Sequence, residues 1–239
     1  MDLIDINCDL GEGIGNDAEI MPFISSCNIA CGGHYGDAMS ISETISLATE
    51  NSVKIGAHPS YPDKINFGRK LITISEHELY ASLCEQLMFF NSHCHKFGVN
   101  LHHVKLHGAL YNVAARDEKT AKIVLKSLTD CEINAKIYAP YQSVLAELAQ
   151  PRFDVLYEAF IDRRYHNNLQ LVARNREDAI ISDKSEAWAH LLHILKTGTV
   201  KTVEGFDQKI KADTFCIHGD QPNAQQLVKY ISENLSKYY

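Results

Sequence analysis

No uncharged apolar run in this 239-residue chain approaches the roughly 20 residues that cross a bilayer, so a membrane partner is not expected. The start, Met1-Asp2-Leu3-Ile4-Asp5, lacks the basic residues and apolar stretch of a secretory signal. A cationic surplus is missing too. Lys and Arg total 23 against 30 Asp and Glu, and a formal charge of −7 gives no electrostatic reason to expect nucleic acid. The seven cysteines are odd in number and have no framework spacing, which excludes a disulfide scaffold. Reduced thiols in the cytoplasm are the expectation. No repeat, low-complexity linker or composition shift divides the chain, so 1–239 is read as one domain. Gly11, Gly13 and Gly15 hint at a phosphate loop, but no Gly-Lys-Ser/Thr follows and the nucleotide fingerprint fails. A tight loop exposing Asp9 and Glu12 is the better account.

What is present suits a large α/β core: 45% hydrophobic residues and 22% charged ones. Short apolar or alternating segments at 3–8, 26–31, 53–57, 102–107, 135–139, 155–160 and 213–217 read as strands. Between them lie helical patterns with recognisable ends. Asp37 caps a helix carrying Ile41, Ile45 and Ala48. Ser75 and Glu78 form a capping box for a long helix bearing Leu79, Leu83, Leu87, Phe90 and Cys94, which Gly98 stops. Asp117 starts a helix with Ala121, Val124, Leu125 and Leu128 inward, and 144–149 and 185–195 are helical, the latter closed by Gly198. A last helix carries Ala224, Val228, Ile231 and Leu235. The segment 166–183 shows no assignable pattern, and 199–203 is a strand or a turn.

Strands alternating with helices indicate a mostly parallel sheet, and seven or eight of them in this length favour closure into a distorted TIM-like (β/α) barrel. The polar residues point the same way. Asp9, His34, His58, His107, Glu158 and His218 all fall within a few residues of a strand's end. In a parallel barrel those positions share one rim. The run from His102 to Tyr111 is the clearest case. His103, Lys105 and His107 alternate with Val104 and Leu106, and two imidazoles and an ammonium on one side cost too much to bury without partners. Blander readings apply elsewhere. Asp220 stands two residues before Pro222 and suits a helix cap as well as a site, and Asp37 is a cap. Cys27 and Cys31 are packing residues, and His77, His93, His95, His190 and His193 are expected at the surface.

Six segments then resemble the LamB/YcsF family, in family order and from about residue 3 to the last helix. They are Asp5-Ile6-Asn7-Cys8-Asp9-Leu10-Gly11-Glu12-Gly13, Asn28-Ile29-Ala30-Cys31-Gly32, Gly56-Ala57-His58-Pro59-Ser60-Tyr61-Pro62-Asp63, His103-Val104-Lys105-Leu106-His107-Gly108-Ala109-Leu110-Tyr111-Asn112, Glu158-Ala159-Phe160-Ile161-Asp162-Arg163-Arg164-Tyr165 and Ala212-Asp213-Thr214-Phe215-Cys216-Ile217-His218-Gly219-Asp220. The resemblance implies a seven-stranded or TIM-like barrel related to glycoside hydrolase and carbohydrate deacetylase barrels. It also implies opening of 5-oxo-L-proline to L-glutamate with ATP hydrolysis, as the A subunit of a 5-oxoprolinase assisted by B and C subunits. Gly33 and Tyr35 replace the usual Phe and Ala around His34, Leu106 replaces a Pro, and Tyr141-Gln142-Ser143 replaces a Gly/Ser-rich loop.

That chemistry needs a base for water, cations for phosphoryl oxygens or carboxylate, and an acid for the ring nitrogen. Asp9 or Glu158 is expected to activate water, with Glu12 beside them. Lys105 and Arg163 neutralise phosphate or the substrate carboxylate, the alternative for Lys105 being a structural ion pair along the barrel wall. His34, His58, His107 and His218 move protons, and Asp162 and Asp220 orient them. ATP is expected to be bound with, or mainly by, a partner. The alternative is a metal-dependent amide hydrolase or deacetylase of carbohydrate-type substrates, with Asp9, His34 and His58 holding a divalent ion. A non-catalytic subunit that only presents a surface has no use for so many ionisable rim groups.

Overall fold

The computed structural model describes residues 4–238. In chain order the elements are β1 (Asp5–Leu10), α1 (Asp17–Ile20), β2 (Ser26–Ala30), α2 (Ala38–Glu50), β3 (Lys54–His58), α3 (Glu76–Phe97), β4 (His103–Lys105), α4 (Gly108–Ala114) and α5 (Glu118–Asp130). They continue with β5 (Lys136–Pro140), α6 (Val144–Ala149), β6 (Val155–Phe160), α7 (Lys184–Thr197), β7 (Thr199–Lys201), β8 (Asp207–Lys209), β9 (Thr214–His218) and α8 (Ala224–Tyr238). Seven strands close a parallel barrel in the order β1-β2-β3-β4-β5-β6-β9, with β9 pairing back onto β1. The expected α/β barrel is therefore present, with seven strands rather than eight. The stretch between β6 and β9 adds no barrel strand; β7 and β8 instead pair with each other as a separate antiparallel hairpin. No described helix is long and apolar enough to cross a membrane.

The helix ends are set by the side chains that suggested them. Asp37 accepts from the Met39 and Ser40 amides at 2.9 Å, and Ser40 Oγ accepts from the Asp37 amide at 2.9 Å. Ser75 and Glu78 close the same reciprocal pair before α3, and Gly98 ends that helix at φ +65°. Each such cap is worth about 1 kcal/mol. Asp183, not Ser185, marks the start of α7, accepting from the Ser185 and Glu186 amides. His93 and His190 do not lie on the surface as expected: His93 is buried against Phe89 and His190 is half-buried beside Tyr165.

Strand boundaries matter more, because they decide which polar residues face the barrel axis. The expected start of the first strand at Leu3 lies outside the described residues. Its end moves outward, since Asp9 and Leu10 still pair with Asn28 and Ile29. Asp9, His58, Glu158 and His218 thus lie in strands rather than in the loops after them. Apolar strand residues such as Ile6, Cys8, Ile29, Val104 and Ile217 join the continuous buried core. The inward set is polar instead. Low in the barrel, Asp5 Oδ2 accepts from Ser26 at 2.8 Å and Thr214 at 2.7 Å, and Tyr138 donates to Ser26 at 3.3 Å. Above them, the His103 ring stacks on Tyr138 at 3.8 Å, and its Nε2 lies 2.7 Å from Asn28 Oδ1. Gly56 makes room for that ring: a Cβ there would collide with Nε2.

Candidate active site

Toward the C-terminal rim the inward side chains become charged. Lys105, 2% exposed, places Nζ 2.9 Å from Asp9 Oδ1, 2.9 Å from Glu158 Oε1, 3.2 Å from Asn7 Oδ1 and 3.0 Å from Cys216 Sγ. An ammonium has three N–H groups, and this one leaves none for a ligand. Burial alone would lower its pKa, but Asp9, with Cys216 and Glu158, holds it well above the ordinary value. Burial likewise pushes Cys216 up, so it stays a thiol. Burial alone would raise Asp9, yet His58 and Lys105 hold it well below the usual carboxylate range. Lys105 is thus in a buried ion pair, holding the Asp9 and Glu158 carboxylates from within the barrel wall.

On one side of Asp9 lies a histidine cluster built on the ends of β3 and β4. His34 stacks on His107 with ring centroids 3.7 Å apart, and His58 meets His107 edge-on at 4.8 Å. Glu12 Oε1 lies 2.9 Å from His34 Nε2 and 3.2 Å from His107 Nδ1. Burial alone would raise Glu12; the imidazoles of His107 and His34 beside it overcome that and keep a carboxylate. Burial pulls His107 down and lowers His34 to about 4. Phe67 packs edge-on against both rings, and its carbonyl lies 2.9 Å from His107 Nε2. The loop carrying Phe67 can press this closely only because residue 108 is glycine. It sits at φ +56°, and a Cβ there would lie 2.6 Å from Gly68 O.

On the other side, His218 Nδ1 lies 3.0 and 3.1 Å from the Asp162 oxygens, and its ring stacks on Phe160. Asp162 also accepts from the His218 amide at 3.0 Å and from Gln221. A carboxylate can only accept here, so Nδ1 carries a proton, which in the neutral imidazole leaves Nε2 bare. Asp162 orients His218 as expected. Asp220 does not. It pairs with Arg69 at 2.5 Å and Arg174 at 3.0 Å, and it caps no helix, since α8 begins at Ala224.

Arg163 is 5% exposed, and its Nη2 donates to Val172 O at 2.6 Å. Its Nε has no partner, and no described carboxylate forms an ion pair with it. Burial, with Arg174 nearby, pushes its pKa down to about 10. Glu158 Oε2 and the Tyr111 hydroxyl are likewise buried with no well-formed hydrogen bond, although Glu158 is close enough to act on Tyr111. Burial and Glu158 keep Tyr111 a phenol.

These groups meet in a cavity of about 680 Å³ lined by Asp9, His58, Lys105, His107, Glu158, Arg163 and His218. Glu12, His34 and Asp162 stand behind that lining, Glu12 against His107, His34 stacked on His107 and Asp162 bonded to His218. Asp220 meets it at Arg69 and Arg174. The expected metal triad is not the observed grouping. Asp9 and His58 gather with Glu12 and His107, whereas His34 stands outside, bonded to Glu12. Sequence reading missed Asn7, Asn28, Tyr111, Arg69 and Arg174. Asn7 was findable, being two residues before Asp9 on the same strand face; the arginines carry no such period.

The comparisons with known proteins agree with this architecture. The LamB/YcsF family model matches residues 4–238. The A subunit of 5-oxoprolinase from Shouchella clausii is 41% identical, covering 100% of this chain and 96% of its own. Its counterpart of the same name from Histophilus somni is 39% identical over 99% of this chain and 96% of its own. The crystal structure of a lactam utilization protein from Thermus thermophilus superposes with a TM-score of 0.91 at 34% identity, covering 99% of this chain and 97% of that one. A GH18 chitinase from Pseudoalteromonas aurantia, at 10% identity and a TM-score of 0.51, shares the fold alone. Similarity along the whole chain to both sequences and a structure shows that this chain belongs to the LamB/YcsF family.

Proposed function

We propose that this chain is the A subunit of an ATP-dependent 5-oxoprolinase, opening the lactam of 5-oxo-L-proline to L-glutamate in a complex with B and C subunits. One observation carries the reading. A single cavity sets a bare imidazole nitrogen, oriented by a buried carboxylate, beside a buried guanidinium with an open N–H. Full-length relatives named as the A subunit of 5-oxoprolinase supply the substrate class.

Lactam resonance makes the carbonyl carbon a poor electrophile. Transfer of the ATP γ-phosphoryl group to the carbonyl oxygen, releasing ADP, turns that oxygen into a leaving group. Water then adds to the carbon and gives its proton to His218 Nε2. The C–N bond breaks, and the ring nitrogen takes the proton back from His218. A second water splits the resulting acyl phosphate to glutamate and inorganic phosphate. His218 is a better base than Asp9, whose proton affinity the Lys105 ammonium suppresses. Arg163 receives the substrate's carboxylate on its open Nε–H. Tyr111 donates to charge developing on the carbonyl oxygen. ATP is held jointly with, or mainly by, the partner subunits, in the cytoplasm.

The test is reconstitution. The chain is mixed with its B and C partners and 5-oxoproline, and glutamate is assayed with and without ATP. Release only with ATP and the full set of subunits is expected. Release by this chain alone without ATP, or none in any combination, overturns the proposal.

A further inference from the structure

We propose that Asp9, Glu12, His58 and His107 bind one divalent transition-metal ion of the zinc class, through His58 Nε2, His107 Nδ1 and one oxygen of each carboxylate. The reasoning starts from two backbone carbonyls. Lys105 O lies 2.8 Å from His58 Nδ1, and Phe67 O lies 2.9 Å from His107 Nε2. A carbonyl oxygen only accepts, so both of those nitrogens carry the proton. A neutral imidazole has one N–H. The remaining nitrogens, His58 Nε2 and His107 Nδ1, are therefore both lone pairs, and they face each other at 2.9 Å.

Two opposed lone pairs require a positive charge between them. The carboxylates add to the demand, with Asp9 Oδ2 3.4 Å from His58 Nε2, and Glu12 Oε1 3.2 Å from His107 Nδ1 and 3.9 Å from His58 Nε2. A proton serves the two nitrogens alone. A metal ion serves all four donors, which lie within 4.8 Å of one another. The spacing suits it. Tetrahedral bonds of about 2.1 Å put neighbouring ligand atoms about 3.4 Å apart; four of the six separations here are 2.9, 3.2, 3.4 and 3.9 Å, and all six lie within 4.8 Å.

The surroundings are those of a supported ligand set. Each imidazole is fixed through its other nitrogen by a carbonyl, the arrangement that orients metal-bound histidines. Asp9 Oδ1 is held by Asn28 and Lys105, and Glu12 by His34. All four residues are buried. Charge points the same way: Asp9, Glu12 and Glu158 stand against the single ammonium of Lys105, leaving an excess that a divalent ion cancels. Nothing here depends on which reaction the cavity performs.

Binding is read directly. Chelator-stripped protein, its fold checked by circular dichroism, is loaded with Zn²⁺, gel-filtered and analysed for metal, and separately titrated with Co²⁺. One equivalent of zinc retained, and visible Co²⁺ bands of a four-coordinate nitrogen/oxygen site, are expected. Glu12→Gln and His107→Ala should each weaken binding by more than ~100-fold, beyond the 10–100-fold cost of losing an outer-shell partner. His93→Gln, on α3 and outside the cluster, should leave it unchanged. If a ligand variant fails to fold, the wild-type stoichiometry and Co²⁺ spectrum decide the matter. Folded wild-type protein that retains no zinc, or binding that survives both ligand substitutions, overturns the proposal.

Discussion

Two polar layers occupy the same barrel, and they behave differently. In the lower one, Asp5, Ser26, Tyr138 and Thr214 bond to one another, and His103 rests on Asn28 and Tyr138. None of the described buried atoms without a partner lies there. The upper layer and its neighbours hold four of the six: His34 Nδ1, Tyr111 Oη, Glu158 Oε2 and Arg163 Nε; the other two, Asn16 Oδ1 and His190 Nε2, belong to residues outside the cavity lining. A buried polar group left open costs about 1–3 kcal/mol. Polarity inside a barrel is thus no mark of function. Incompleteness gathered about one cavity is, because only an incomplete set has capacity for a ligand.

The comparison can be broken first at His218. His218→Ala should lower turnover of the reconstituted enzyme by ~10²–10⁴, the usual worth of a general base, and leave the urea midpoint close to wild type. Lys105→Met should act mainly on folding. It leaves Asp9 and Glu158 buried without their counter-ion, and a loss of about 3–5 kcal/mol is expected by equilibrium unfolding. In the lower layer, Tyr138→Phe removes one hydrogen bond, with an expected cost of about 0.5–1.5 kcal/mol and turnover unchanged. A turnover defect matching that of His218→Ala would erase the distinction between layers.

The smallest effect is a pH slope. Burial alone would raise Asp162, but its bonds to His218 hold it below the ordinary 3.8. Its folded-state pKa is depressed, so its stabilisation is complete above the unfolded value and drains as pH falls through the folded one. Between about pH 5 and 3, wild-type stability should fall more steeply than that of Asp162→Asn. Equal slopes would show that the pair contributes nothing to folding.

Much of this was legible in the sequence. The barrel followed from strand and helix periods, and the long helices from Asp37, Ser75 and Gly98, whose caps are local chemistry. Seven of the expected site residues line the cavity because strand ends in a parallel barrel must share a rim. Roles were less legible than positions. Lys105 suited either a cation for phosphate or an ion pair along the barrel wall, and only coordinates reveal which carboxylates hold it. His103 and His107 were alike in the alternation, yet one completes the lower layer and the other joins the upper. Asp220 two residues before a proline resembled a cap, while its arginine partners come from positions 69 and 174, beyond any local pattern.

The most direct measurement is nitrogen NMR of protein labelled at histidine with ¹⁵N, titrated with 5-oxoproline and with L-glutamate. The account predicts that ligand moves the ring resonances of His58, His107 and His218 and leaves His103 in place. Saturating ligand that leaves all three unmoved, or that shifts His103 alone, would contradict it.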